Sequence, residues 1–221
     1  MDVYQIVIVL LIGFVFLLIH GELAKNQGQK YIFKPISTSL VVVIVILSLL
    51  FSQDYQNYKL LILLGLLFCF GGDIALMFDS KKAFTAGLVL FLIGHIVYSI
   101  TIVIYNGYLI SSYTAPIIIS ILGVLIYRYL YSGLGNMKIQ VLFYIIVISF
   151  MVHCAFSSFD SQFFTYQQAL LLSIGATLFY ISDVVLAINR FKIPFKYNRL
   201  GLAFYYAGQL LIALSTRYFI T

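Results

Sequence analysis

Residues 3–19 read VYQIVIVLLIGFVFLLI, a run without one charge, and runs of this kind recur along the whole chain. A half-buried strand alternates apolar and polar residues, whereas an unbroken apolar run of this length is a helix buried on all sides or a helix in lipid. Of the 221 residues only 9% are charged and 63% are hydrophobic, with mean hydropathy +1.07; soluble domains carry about 25% charged residues. Too few polar side chains exist to cover a water-facing surface. In lipid the backbone must satisfy its own hydrogen bonds, which leaves helices or a closed barrel, and a barrel needs alternation that is missing here. The chain therefore reads as all-α, a polytopic transmembrane bundle of about eight helices in one domain, 1–221.

The expected spans are Val3–Ile19, Ile36–Phe51, Lys59–Phe78, Ala83–Tyr105, Ser112–Tyr131, Lys138–Ser157, Tyr166–Ile188 and Tyr197–Tyr218. Short connections make neighbouring helices antiparallel. The first segment has Asp2 rather than a basic flank and no small-residue cleavage site, so it reads as a first helix and not a cleaved signal. Basic residues set the orientation. Lys25, Lys30 and Lys34 fall before the expected second helix, Lys81 and Lys82 in the third loop, Arg128 and Lys138 around the fifth, and Arg190, Lys192, Lys196 and Arg199 in the seventh. Eleven of the thirteen Lys and Arg thus share one side, leaving Lys59 and Arg217 on the other. Odd loops are expected in the cytoplasm and both termini outside, in the cell membrane if the source is bacterial. The net charge of +6 is accounted for by topology, which argues against nucleic acid as a partner. Cys69 and Cys154 both lie within expected helices and read as packing residues.

Two regions resemble each other: GGDIALMF followed by GLVLFLIGH, and YISDVVLAI followed by GLAFYYAGQ. Gly87, Gly94 and His95 align with Gly201, Gly208 and Gln209, and Asp73 with Asp183. The pattern suits two four-helix pseudo-repeats, 1–105 and 112–221, of the same orientation. Glycines on one helix face also serve plain close packing.

Of seven acids, only Asp73 and Asp183 fall inside helices. Each is expected one and a half turns from the cytoplasmic end, about 8 Å in. Such a residue costs ~2.5–3.5 kcal/mol on insertion scales and marks a functional site by default. Either acid could instead be a structural partner of Lys34, Lys82 or Arg190. Two carboxyls at one site can divide the work, one holding a proton as general acid and the other ionised as general base. Phe91, His95 and Tyr98 share one helix face, and Tyr205 and Gln209 share another, with Tyr206 beside them. His95 alone reads more readily as an interhelical hydrogen-bonder. His20 and Glu22 read as interfacial, and Lys30 and Lys34 as topology or a phosphate contact. No Gly-x-Ser-x-Gly elbow, phosphate loop, His-Glu-x-x-His or Cys-rich metal motif is present, so no metal or cofactor is expected. Paired acids at matched depth would also suit a proton-coupled transporter of a small solute or lipid, with Gly71–Gly72 as a candidate helix break.

At these residues the chain resembles the YhhN family. The matching pieces are Lys34–Pro35, Gly72–Asp73, the pattern from Phe84 to Tyr98, Ser182–Asp183, and Tyr205 to Ala213. The resemblance implies a lysoplasmalogenase: hydrolysis of a lysoplasmalogen vinyl ether to a fatty aldehyde and glycerophospho-ethanolamine or -choline. It implies Asp73 and Asp183 as the essential pair and a lysophospholipid in the membrane as substrate. Lys34, Ser182, His95, Tyr98, Tyr205 and Gln209 are then the expected substrate- and water-positioning residues.

Overall fold

The computed structural model describes residues 2–106, 114–195 and 198–218. These form α1 (Val3–Leu23), α2 (Gln27–Phe51), α3 (Gln56–Ala75), α4 (Lys81–Asn106), α5 (Thr114–Leu130), α6 (Lys138–Ser157), α7 (Tyr166–Phe191) and α8 (Gly201–Leu214), joined by turns and short 3-10 segments. Seven helices are long and apolar enough to cross a membrane. The 14-residue α8 is about 21 Å long, short of a ~30 Å hydrocarbon core. It packs against α7, α2, α1 and α3, with Tyr205, Tyr206, Gly208, Gln209, Ile212 and Ala213 buried. A helix wrapped by protein need not match lipid thickness. The chain still crosses the bundle here: Gln168 at the start of α7 donates to the Ser215 carbonyl (2.9 Å), and Arg217 pairs with Asp2 before α1. The seven spanning helices make a multi-pass membrane protein, with Asp2 and Arg217 together at one face of the bundle.

Several expected boundaries move, three helices most of all. The second helix starts at Gln27, not Ile36, so Lys30 and Lys34 lie within it and the first loop keeps only Lys25. Asn26 caps it, its side chain accepting from the Gln29 amide (3.3 Å), and Pro35 sits inside the helix. Proline within a spanning helix is tolerated when side chains satisfy the disturbed backbone. The group that Pro35 leaves without its helical donor is the Tyr31 carbonyl, four residues back; the neighbouring Lys34 carbonyl accepts from Thr38 Oγ1 (3.2 Å) and from the Tyr206 hydroxyl (3.3 Å), the latter tying α2 to α8. The third helix stops at Ala75 rather than Phe78, because Leu76–Phe78 form a turn. Asp73 is therefore two residues from its helix end, while Asp183 is eight residues from the end of α7; the expected equal distances do not hold. The eighth helix is Gly201–Leu214 rather than Tyr197–Tyr218. Ser112, the expected start of α5, lies outside the described residues. Gly71–Gly72 does not interrupt α3, and α7 runs unbroken through Asp183.

The aligned glycines make matched contacts. A Cβ on Gly94 would lie 2.7 Å from Cys69 Sγ and 3.2 Å from the Gly65 carbonyl of α3. One on Gly208 would lie 2.7 Å from the Gly175 carbonyl and 2.9 Å from the Phe179 amide of α7. Gly65 and Gly175 each precede their helix's aspartate by eight residues, so the α3–α4 and α7–α8 hairpins close at equivalent points. The Gly208 contacts are all with backbone, which cannot rotate away. Gly208→Ala is expected to destabilise the fold by about 1–3 kcal/mol, read as a lowered thermal midpoint in detergent. Gly13→Ala, which meets nothing within 4 Å, should leave the midpoint unchanged or raise it; equal effects of the two would refute the close-packing account.

Candidate active site

Asp73, at the end of α3, is 2% exposed. Its Oδ1 lies 3.2 Å from Lys34 Nζ. Its Oδ2 accepts from Thr38 Oγ1 (2.6 Å) and the Tyr205 hydroxyl (2.7 Å). Lys34 and Thr38 stand one turn apart on α2, which places both on the face turned to α3. A carboxylate is an acceptor with two oxygens, and both are engaged. Of its expected structural partners, Lys34 is the one present.

Asp183, on α7, has a side chain 14% exposed. It accepts from the Tyr144 hydroxyl of α6 (2.6 Å). His95 Nε2 of α4 lies 3.2 Å from Asp183 and 3.0 Å from the Tyr144 oxygen. Both contacts fall on Oδ2 of Asp183. His95 is fully buried, and among the described residues its Nδ1 has no hydrogen-bond partner, as suits a ring carrying its hydrogen on Nε2.

The two acids are built alike. Each accepts a hydroxyl from the preceding helix, Thr38 of α2 or Tyr144 of α6. Each also meets a group from the other four-helix segment, Tyr205 of α8 or His95 of α4. Phe179 packs edge-on to both His95 (4.6 Å between centroids) and Tyr205 (5.1 Å), with Phe91 edge-on to Tyr205 (5.8 Å). These rings link the aromatic partners of the two acids, Tyr205 and His95.

Two cavities meet here. The larger, about 380 Å³, is polar and is lined by both acids, Lys30, Lys34, Ser182, Tyr205 and further charged side chains. The second is a narrow apolar seam of about 50 Å³ between α4, α5, α6 and α7, lined by Ile126, Leu130, Ile145, Ile148 and their neighbours. Leu76, Phe84, Phe91, Leu186 and Asp183 line both. Among the described residues Asp183 is the single polar side chain common to the two.

Of the expected site residues, Lys34 and Tyr205 contact Asp73, His95 contacts Asp183, and Ser182 lines the polar chamber. Tyr98 and Gln209 lie behind Tyr205: Tyr98 donates to Gln209 Oε1 (2.9 Å), whose Nε2 is 3.5 Å from the Tyr205 oxygen. Neither lines the chamber or the seam. Their chemistry reaches the site through Tyr205. Thr38 and Tyr144 escape a sequence reading, being hydroxyls in apolar runs with no charge to mark them. Glu22, read as interfacial, pairs with Arg199 at the chamber wall (3.2 Å). Among the described residues no three His, Cys, Asp or Glu side chains gather to hold a metal ion.

The chain is 31% identical over 157 residues to the proteins named lysoplasmalogenase TMEM86A of Bos taurus and of Homo sapiens, each alignment taking 70% of this chain and 64% of the relative. It thus spans less than two thirds of those relatives' length. A Dictyostelium discoideum protein named lysoplasmalogenase homolog is 26% identical over 248 aligned positions, covering 88% of this chain and 80% of that one. No solved structure matches. The family model described as YhhN covers residues 29–216, from the first turn of α2 to just past α8 and with both acids inside it, and the chain belongs to the YhhN family.

Proposed function

We propose that this protein is a membrane-embedded hydrolase of lysoplasmalogen vinyl ethers, yielding a fatty aldehyde and glycerophospho-ethanolamine or -choline. The observation that carries this is the position of Asp183, alone among polar side chains in bordering both the charged chamber and the apolar seam. A single-chain phospholipid has the same division, a charged head and an apolar tail, and its vinyl ether lies at the junction. The names of the relatives support the same reading. The seam is narrow, so its side chains must part to admit the alkenyl chain.

Asp183 is the general acid. With Tyr144 and His95 both on Oδ2, Oδ1 remains to carry the proton to the β-carbon. The Tyr144 hydroxyl then steadies the carboxylate left behind. Asp73, both oxygens held, is the fixed charge that faces the oxocarbenium ion and orients the attacking water. Water adds to the cationic carbon and its proton restores the acid. The hemiacetal collapses to aldehyde and alcohol, so the step needs no electron transfer and no cofactor. The matched surroundings of the two acids support reading the chain as two four-helix halves, 1–105 and 112–221, each supplying a donor to the other's aspartate. Tyr98 and Gln209 hold Tyr205 in place rather than touch substrate.

The chamber opens on the side of Lys81, Arg190 and Arg199, the side to which the sequence assigns most of the basic residues, which supports a cytoplasmic chamber with both termini outside. A periplasm-dependent phosphatase fused after Thr221 should be active in a bacterial host and a cytoplasm-dependent reporter silent; the reverse would invert the topology.

Asp183→Asn and Asp73→Asn keep the side-chain shape and are each expected to lower aldehyde release from lysoplasmenylethanolamine by at least about 10²-fold while the protein stays folded. A saturated-ether lysolipid should give no aldehyde with any variant. Activity retained in both variants would remove these acids from the chemistry, and no aldehyde from folded wild type would favour transport. Lys34→Met leaves a buried carboxylate unpaired and should cost about 3–5 kcal/mol of stability. The double variant Lys34→Met/Asp73→Asn should recover most of that loss in thermal unfolding; additive losses would mean the pair is not coupled.

A further inference from the structure

We propose that Lys30 is the anchor for the phosphate of a phosphodiester headgroup, an assignment that rests on the lysolipid reading above. Five cations and four carboxyls line the polar chamber. Lys34 is held by Asp73, and Arg199 by Glu22. Lys81, Arg190 and Asp79 are exposed to solvent, and Arg190 lies over the Phe84 ring (4.6 Å). Lys30 differs from all of these. It is 7% exposed, borders the chamber, and among the described residues its side chain forms no hydrogen bond or ion pair. Its ammonium opens into the chamber without a protein counter-charge, in the first turn of α2 (Gln27–Phe51), where no acidic residue balances it and the helix dipole favours anions over cations. An anion entering the chamber supplies the missing counter-charge. That anion would meet the Lys30 ammonium and the positive end of α2 together.

The spacing fits a glycerophospholipid. Lys30 and Lys34 are one turn apart, about 6 Å along α2. In a glycerolipid the ether oxygen and the phosphorus are separated by five bonds of ~1.5 Å, about 6 Å when extended. A vinyl ether beside Asp73 and Asp183 therefore places its phosphate one turn towards the chamber mouth, at Lys30. Lys34, occupied by Asp73, belongs to the acid and not to the phosphate.

The test is binding of two non-cleavable saturated-ether ligands, 1-O-alkyl-glycerophosphoethanolamine and 1-O-alkylglycerol, to the purified full chain in detergent. Wild type should bind the phosphate-bearing ligand on the order of ten- to a hundredfold more tightly, as expected for a charged hydrogen bond. Lys30→Met should collapse that ratio towards one, and Lys30→Arg should retain it; binding of alkylglycerol reports that each variant is folded. An unchanged ratio in Lys30→Met, or no preference in wild type, overturns the assignment. Inorganic phosphate alone separates the two sources of the anion. It should fail to displace the phospholipid analogue at millimolar concentration, and displacement that is lost in Lys30→Met would assign the site to the free ion and overturn the headgroup reading. Neither ligand is cleaved, so failure of vinyl ether hydrolysis leaves this result standing, and the reverse holds as well.

Discussion

The arrangement depends on a carboxylate taken out of water. Asp73 is buried inside a bundle surrounded by lipid, and a charge placed there persists only with close partners. Lys34, Thr38 and Tyr205 supply them from α2 and α8, so one side chain fixes the relation of three helices. Asp183 does the same for α4, α6 and α7 through His95 and Tyr144. The glycine contacts let each hairpin close tightly enough for these short bonds to form. In the proposed mechanism stability and chemistry share the same groups, which is why the conservative Asn exchange separates them better than any larger change.

The second constraint is the partition of polarity. Cations and carboxyls gather in the chamber, aliphatic side chains fill the seam, and Asp183 borders both. A soluble phosphate ester would satisfy the chamber and ignore the seam, and a free hydrocarbon would do the opposite. The lysophospholipid proposed as substrate would use both, with its reactive bond at their border. The unpaired Lys30 adds the element of charge that such a headgroup would neutralise.

Helix number and type were legible because lipid removes the need for alternation, so apolar continuity alone marks a span. Boundaries were less so. Pro35 looks like a helix start, yet Asn26 caps the helix nine residues earlier and α2 continues through the proline. Leu76 and Phe78 look like more of α3, but the helix ends at Ala75 and both residues lie in the turn that borders the chamber. The two aspartates stood out because charge is rare in such a chain, and the motifs around them identified the family that the 29–216 match shows. Thr38 and Tyr144 were invisible, since one tyrosine among 18 carries no sign of its neighbour. Tyr98 and Gln209 were found on the right helix faces but one residue too deep, behind Tyr205, because periodicity gives direction and not depth.

The most direct measurement is the fate of solvent atoms during turnover of a lysoplasmalogen in D2O enriched in 18O. Protonation of the β-carbon by Asp183 followed by water addition at the cationic carbon predicts one deuterium on the carbon next to the aldehyde. It also predicts no 18O in the released glycerophospho product, whose oxygen never leaves glycerol. An aldehyde without that deuterium, or 18O in the glycerol hydroxyl, would contradict proton transfer to carbon as the step these aspartates perform.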